Sequence, residues 1–174
     1  MVKEPLPGRV KTRLGAGIGL VQAAWWFRHQ TRALIRRLAW DRRWHTVLMV
    51  SPDRAGLSSR VWSEGVARQA QGQGNLGDRM ARIVRSAGAG PVVIIGADIP
   101  GIEAQHVEQA FAVLGDHDAV FGPAPDGGYW LIGMKRARPP ASNVLQNVRW
   151  SSEWALADSA RSLGDVTIAH VATL

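Results

Sequence analysis

Three cations alternate near the start of the chain, where Arg9, Lys11 and Arg13 follow two prolines and Gly8 in the stretch EPLPGRVKTRL (4–14). Proline disfavours a helix, and glycine reaches backbone conformations that are closed to other residues. A loop of this kind can aim its cations at one anion, because arginine binds phosphate through two nitrogens and lysine supplies a point charge. The segment predicts a phosphate-binding loop or a solvated basic loop, and its spacing alone favours neither.

A glycine-rich stretch, QGQGNLGDRM (71–80), comes directly before a segment with helical periodicity. Glycines at such a place let a ligand approach the backbone, and the N-terminus of a helix favours an anion. The side chains of Gln71 and Asn75 are of types that read a base edge or a ribose. The alternative is a flexible loop that ends in a helix cap, and this stretch alone is a weak signal for a ligand.

A carboxylate follows the clearest strand pattern of the chain. Four consecutive β-branched residues at 92–95 predict a buried strand, and Asp98 lies just past its end, where Pro100 prevents an immediate helix. In open α/β sheets, ligands bind outside the carboxyl ends of the strands. Oxygen ligands are what Mg²⁺ or Mn²⁺ prefers when it also holds a diphosphate. We therefore predict that Asp98 contacts a metal or a ligand and does more than cap a turn.

A second aspartate opens a glycine turn further along the chain. Asp126 precedes Gly127 and Gly128, and these glycines would let the backbone come close to a ligand. Tyr129 and Trp130 follow, and their rings could stack on a sugar or a base. An Asp–Gly hairpin turn explains the same residues when the motif is taken by itself.

Composition limits the class of protein. The chain has 174 residues, a net charge of +7 and no cysteine. Its length predicts a single domain over 1–174, and the lack of cysteine excludes a disulfide scaffold, a zinc–thiolate site and a cysteine nucleophile. No apolar run approaches the roughly 20 residues that a membrane helix needs, and the first residues lack the apolar stretch of a signal peptide. We therefore expect a cytoplasmic protein.

Strands and helices alternate along the sequence. Helical spacing of apolar residues covers 18–39, 75–87, 103–114 and 151–163, whereas short apolar runs cover 45–51, 91–98, 118–124, 127–134 and 166–172. The pattern predicts an α/β fold, in which a mostly parallel sheet is covered by helices on both faces as a three-layer sandwich. Only three residues precede the cationic loop, so the first strand is expected to be truncated. The four motifs would then share one pocket, suited to a nucleotide diphosphate with a divalent metal.

Together with VRWSSEWAL (148–156), the four motifs occur in an order and at spacings that span almost the whole chain. In these residues the chain resembles the small bacterial GT-A-type glycosyltransferases that are often labelled as arsenosugar-biosynthesis glycosyltransferases. That family is related in fold to 2-phospho-lactate guanylyltransferases and other nucleotidyltransferases. The resemblance implies a GT-A, Rossmann-like fold that binds a nucleotide sugar.

The resemblance also implies a role for each motif. Asp98 would lie at the metal and diphosphate site, with Mg²⁺ or Mn²⁺ as the cofactor. The residues that would face phosphates are Arg9, Lys11 and Arg13. The residues that would lie near the nucleoside are Gln71, Asn75 and Gly77. The residues that would line the sugar or acceptor side are Asp126, Gly127, Gly128, Tyr129 and Trp150, with Asp126 as the catalytic group.

Three functions remain open at this point. The first is a metal-dependent glycosyltransferase that uses a nucleotide-diphosphate sugar. The second is a guanylyltransferase-like nucleotidyltransferase, which uses the same pocket but releases pyrophosphate. The third is a truncated, non-catalytic relative that binds nucleotide, and it is motivated by ends that are shorter than those typical of the family.

Two further features of the sequence bear on possible partners. Arg28, Arg32 and Arg36 recur every four residues near several tryptophans, which is a pattern of nucleic-acid or membrane-surface binding. A solvated helix face explains the same spacing and is favoured, so nucleic acid is not the expected partner. A sheet that lacks most of its first strand has an open edge, which invites a homodimer.

Overall fold

The computed structural model describes residues 1–137, 139 and 141–174. Within those residues the elements are β1 (Val2–Lys3), α1 (Thr12–Ile18), α2 (Leu20–Leu38), β2 (Val47–Ser51), α3 (Asp53–Ser58), β3 (Ala67–Ala70), α4 (Leu76–Ser86), β4 (Val92–Ile95), α5 (Ala104–Val113), β5 (Ala119–Pro123), β6 (Tyr129–Met134), α6 (Ala155–Ser162) and β7 (Ile168–His170). They form two compact units. The first comprises Met1–Gly72 and Gly96–Ala104, and the second comprises Gln73–Ile95 and Gln105–Leu174.

The first unit holds a three-stranded parallel sheet in the order β1-β2-β3. Helix α2 buries one stripe of apolar side chains, of which Phe27, Leu34, Ile35 and Leu38 are the largest. A cluster that includes Ile35, Val50 and Trp62 forms part of the apolar core of this unit. The short strand β1 pairs Val2 with Val50, so the sheet begins directly before the cationic loop.

The second unit holds a four-stranded sheet in the order β4-β6-β5-β7. Strand β6 is antiparallel to both of its neighbours, whereas β5 and β7 are parallel. Its interior is formed by large side chains on adjacent strands, including Phe121, Trp130, Leu131 and Ile132. Helix α4 is the most clearly amphipathic element of this unit, with Met80, Ile83 and Val84 buried along one face.

The predicted α/β class with mostly parallel strand pairing is confirmed, since three of the five strand pairs are parallel among the described residues. All four predicted helices and all five predicted strands are present, with ends that differ by a few residues. No helix in the described part of the chain is both long enough and apolar enough to cross a bilayer. The single-domain organisation stays a prediction.

Three elements were not predicted: α1, α3 and β3. The first is a correction, because a helix was not expected in the cationic segment. Thr12–Ile18 contains no proline, and the chain turns at Gly19, whose φ is +95°, before α2 starts. The other two are short and polar, as in ARQA for β3, so they carry no apolar pattern that would reveal them.

Candidate functional site

Three loops of the first unit follow the carboxyl ends of its parallel strands. The cationic loop follows β1, residues 52–53 follow β2, and residues 71–72 follow β3. The amide of Gly72 donates to Asp53 Oδ1 at 3.1 Å, which ties the second of these loops to the third. Because the strands are parallel, the loops meet at one edge, where ligands bind in sheets of this kind.

Lys11 is placed by an unusual backbone. Its φ is +46° and its ψ is 44°, a left-handed conformation that non-glycine residues seldom adopt. Its Nζ lies 2.6 Å from Asp98 Oδ2 and 5.7 Å from the ring centroid of Trp26. Both side chains of the ion pair are partly exposed. The structure therefore brings together two residues that the sequence singled out, and adds Trp26, which no motif signalled.

Arg9 and Arg13 are exposed on either side of Lys11. In the described part of the chain neither of them forms an ion pair. Two positive charges are therefore left uncompensated next to a pair that is neutral overall. Such a loop attracts an anion.

Asp98 was predicted to hold a metal. Across the residues that the structure describes, no cluster of three or more His, Cys, Asp or Glu side chains could bind a metal ion. Mg²⁺ is often held by one or two carboxylates together with phosphate oxygens of a substrate. The donor set around Asp98 therefore fits a metal that arrives with a diphosphate, and it does not fit one that is bound by the protein alone.

Gln71 is buried and forms hydrogen bonds with the backbone of the sheet. Its Nε2 donates to the carbonyl oxygens of Val2 and Met49, at 3.0 and 2.7 Å, and so links β1 to β2. Both protons of this amide nitrogen are used, so none is left for a base or a ribose. The predicted role of Gln71 in nucleoside recognition stays a prediction.

Asn75 caps helix α4 in the second unit. Its Oδ1 accepts from the amide of Asp78 at 3.0 Å, and Asp78 Oδ2 accepts from the amide of Asn75 at 2.9 Å. This reciprocal pair is a capping box, which is the alternative that the sequence left open for the glycine-rich stretch. A groove of about 630 Å³ lies beside the cap, and its lining includes Gln73, Arg82 and Arg85.

Gly77 lies where the start of α4 touches another segment of the same unit. A Cβ at this position would overlap the carbonyl oxygen of Leu145 and would lie 3.0 Å from Trp150 Cζ2. The ring of Trp150 is in turn 6.4 Å from the ring of Tyr129, in an edge-on arrangement. Three predicted site residues of the second unit are thus neighbours.

Tyr129 is half-buried. Burial raises the pKa of its phenol to about 12, against an opposing hydrogen bond with Ser159 Oγ at 3.1 Å. The phenol is therefore neutral at physiological pH. The prediction that Trp130 stacks on a ligand is wrong, because its indole is buried in the sheet and donates to the carbonyl of Ala172.

The turn of Asp126, Gly127 and Gly128 connects β5 to β6. Gly128 N donates to Asp126 Oδ1 at 3.0 Å, and Gly127 has a φ of +79°. A Cβ on Gly127 would overlap the backbone of Glu153, so this glycine is required for close packing. The carboxylate of Asp126 is exposed, and its catalytic role stays a prediction.

An ionic network next to Trp150 was missed. Arg149 Nε donates to Asp158 Oδ2 at 2.7 Å, and Arg161 donates to Asp158 Oδ1 at 3.0 Å. Hydrogen bonds from Arg149 hold the pKa of the Asp158 carboxyl well below its usual range. An aspartate three residues before an arginine on a helix is the one sequence signal for it, and this signal is common on solvated surfaces.

Comparison with known proteins adds two findings. The family model described as "Uncharacterized protein conserved in bacteria (DUF2064)" matches residues 34–152. A crystal structure from Desulfovibrio desulfuricans G20, which carries the name "putative nucleotide-diphospho-sugar transferase", superposes with a TM-score of 0.80 and 29% sequence identity. The match covers 99% of this chain and 77% of that one. Among proteins with curated descriptions, none matches the sequence.

Proposed function

The chain belongs to the DUF2064 family, and from this premise we propose that it is a glycosyltransferase that uses a nucleotide-diphosphate sugar with Mg²⁺ or Mn²⁺. The observation that carries the proposal is the likeness, over 99% of the chain and at 29% identity, to the protein that carries the name "putative nucleotide-diphospho-sugar transferase". The cationic loop at the carboxyl ends of the parallel strands supports it, because a diphosphate needs positive charge at its binding site.

The first unit would bind the diphosphate. Arg9 and Arg13 supply charge that no ion pair within the described residues offsets, and Lys11 supplies an ammonium that can turn from Asp98 to a phosphate oxygen. Asp98 would hold the metal together with the diphosphate. A bound divalent ion offsets the charge that develops on the leaving group.

The transfer itself is a substitution at the sugar carbon. The acceptor hydroxyl oxygen forms a bond to that carbon, and the bond from the carbon to the β-phosphate oxygen breaks. The electron pair leaves with the nucleoside diphosphate, and the hydroxyl proton passes to a base, for which we propose Asp126. Its carboxylate is exposed and accepts one backbone hydrogen bond, from Gly128.

Two groups of residues in the second unit are also proposed as site residues. Asn75 and Gly77 are proposed for the nucleoside, at the capped start of α4. Gly127, Gly128, Tyr129 and Trp150 are proposed for the sugar or acceptor side, where the neighbouring rings of Tyr129 and Trp150 provide apolar surface.

A thermal-shift panel tests the proposal. The nucleoside diphosphates of the common bases, their sugar conjugates and the triphosphates are each added with and without Mn²⁺. A ligand at 100 times its dissociation constant stabilises a protein by about 2.7 kcal/mol. We expect a shift with one diphosphate and its sugars that grows with metal, and the absence of any nucleotide shift contradicts the proposal.

The released product separates this function from nucleotidyl transfer. Incubation of the best donor with candidate acceptors should yield nucleoside diphosphate. Release of pyrophosphate from a triphosphate would instead show attack on the α-phosphorus and would overturn the glycosyltransferase assignment. Nucleotide binding without either product, with a broad set of acceptors, would favour the non-catalytic alternative.

A further inference from the structure

Residues 5–40 contain seven lysine and arginine residues and no aspartate or glutamate. Within the first unit, two of the seven cations are paired with acids from a later segment. Lys11 pairs with Asp98, and Arg37 pairs with Glu103 at 3.6 Å. The other five are Arg9, Arg13, Arg28, Arg32 and Arg36. The uncompensated charge of this segment is therefore entirely positive.

The same segment exposes apolar side chains. Ile18 at the end of α1 and Leu20, Val21 and Trp25 at the start of α2 are four of the ten large hydrophobic side chains that are exposed in the described part of the chain. Val21 is 66% exposed and Trp25 is 62% exposed. Leaving such a group of side chains in water is unfavourable, and contiguous apolar patches mark binding surfaces.

Three of the cations share one face of α2 with Val21 and Trp25. At 100° per residue, positions 21, 25, 28, 32 and 36 fall within a quarter of the helix circumference, beside the buried stripe, of which Phe27 and Leu34 lie on the far side of the helix. The ring of Trp25 stacks on His29 with 3.9 Å between centroids. The apolar end of this face is therefore continuous with its basic end.

We propose that this face is a docking surface for an anionic lipid bilayer, with Val21 and Trp25 entering the interface. Tryptophan is enriched at the boundary between the headgroups and the acyl chains. Aliphatic side chains are stabilised there by contact with the acyl chains. At 1.5 Å per residue, Arg28 and Arg32 lie about 5 and 10 Å along the axis from Trp25, within a Debye length of the headgroups. The surface is independent of the nucleotide-sugar chemistry proposed above.

Two other occupants fit less well. A second copy docked on the same face would bring the two sets of arginines together without an acidic side chain between 5 and 40 to offset them. A nucleic acid would use the arginines and could stack a base on Trp25, but it would leave Val21 without a partner.

Co-sedimentation with lipid vesicles tests the proposal on the full chain. Vesicles of phosphatidylcholine and phosphatidylglycerol in equal parts should bind the protein, binding should fall with added salt, and vesicles of phosphatidylcholine alone should bind much less. Trp25→Ser should weaken binding about tenfold or more. Arg32→Gln should weaken it about fivefold, which corresponds to about 1 kcal/mol.

Matched controls make the test specific. Trp40→Ser removes a tryptophan that is 61% exposed but lies beyond the end of α2, and Arg60→Gln removes an exposed charge outside this helix. Both variants should bind vesicles like the unchanged chain. The thermal midpoint of each variant shows that it is folded.

Four results would overturn the proposal. The first is no binding to the anionic vesicles at low salt, and the second is an equal loss in Trp25→Ser and Trp40→Ser. The third is a dimer in solution that Trp25→Ser dissociates, since this would identify a second copy as the occupant. Tighter binding to a DNA oligonucleotide than to the vesicles, lost in Arg32→Gln but unchanged in Trp25→Ser, would equally reject a bilayer.

Discussion

The ammonium of Lys11 lies 2.6 Å from the carboxylate of Asp98, and each of these side chains is partly open to solvent. Exposed ion pairs contribute about 0–1 kcal/mol to folding stability. A pair of this strength is easily exchanged for other partners, because little free energy is lost when it separates. The left-handed backbone of Lys11 is therefore better explained by the placement of its charge than by the stability of the pair.

Lys11→Ala should weaken binding of the preferred nucleoside diphosphate by about tenfold or more, since a hydrogen bond to a charged group contributes about 1.5–3 kcal/mol. Binding of the corresponding nucleoside should change much less. Isothermal titration calorimetry with both ligands measures the difference. Lys3→Ala, which removes an exposed cation on β1, is the control. An equal loss for diphosphate and nucleoside would contradict a phosphate role for Lys11.

Asp98→Asn tests the metal assignment separately. The amide keeps the shape of the side chain and removes its charge, so the gain in nucleotide affinity on adding Mn²⁺ should shrink while the thermal midpoint changes little. Titration of the nucleotide at fixed metal concentration, with and without Mn²⁺, gives this gain. The assignment fails if the variant gains as much affinity from the metal as the unchanged chain.

Gly77→Ala should destabilise the second unit by about 1–3 kcal/mol, because its Cβ would overlap the carbonyl of Leu145. Gly88→Ala is the matched control, since a Cβ there meets nothing within 4 Å. Urea unfolding of both variants measures the difference. Equal stability of the two variants would show that the segment around Leu145 moves away without cost.

The sequence predicted the class of fold because apolar runs and helical spacing report burial directly. It predicted that most strand pairs are parallel, but it did not predict which pairs are antiparallel. The run at 92–95 was interpreted as a strand of a mostly parallel sheet, yet β4 pairs antiparallel with β6, with Val92 opposite Met134. A continuous apolar run reports that a strand is covered on both faces. Such burial is typical of parallel strands, but an antiparallel strand that is covered on both faces gives the same run.

The structure gives two of the predicted site residues a structural role that the sequence did not reveal. Gln71 and Asn75 stand beside glycines, as a ligand loop would require, but the structure uses the first to link two strands and the second to cap a helix. Polar side chains near strand ends can form hydrogen bonds with the backbone as readily as with a ligand. Local sequence cannot separate these uses, since the partners of Gln71 are 69 and 22 residues away.

Because of Asp158, the folding stability should depend on pH in the acidic range. Its folded pKa is held below the ordinary value of 3.8 by Arg149, so the unfolded chain takes up a proton first as the pH falls. The contribution of Asp158 is fully present above about pH 4 and is lost progressively below it. In Asp158→Asn the fall of the thermal midpoint over this range should be shallower, whereas Asp165→Asn, at an exposed position, should follow the unchanged chain. If the thermal midpoint falls equally with pH in all three proteins, Asp158 does not contribute to the acid dependence of stability.

Tyr129 can be titrated without ambiguity because it is the only tyrosine of the chain. Tyrosinate absorbance should rise with a midpoint of about 12 in the folded protein and near the ordinary value of 10 in urea. Since the unfolded chain loses its proton first, stability should decline as the pH rises above about 10. Ser159→Ala should move the folded midpoint upward, because the Ser159 hydrogen bond lowers this pKa. A midpoint near 10 in the folded protein would mean that the phenol is accessible to water, and the ring would then be open to a ligand before any rearrangement.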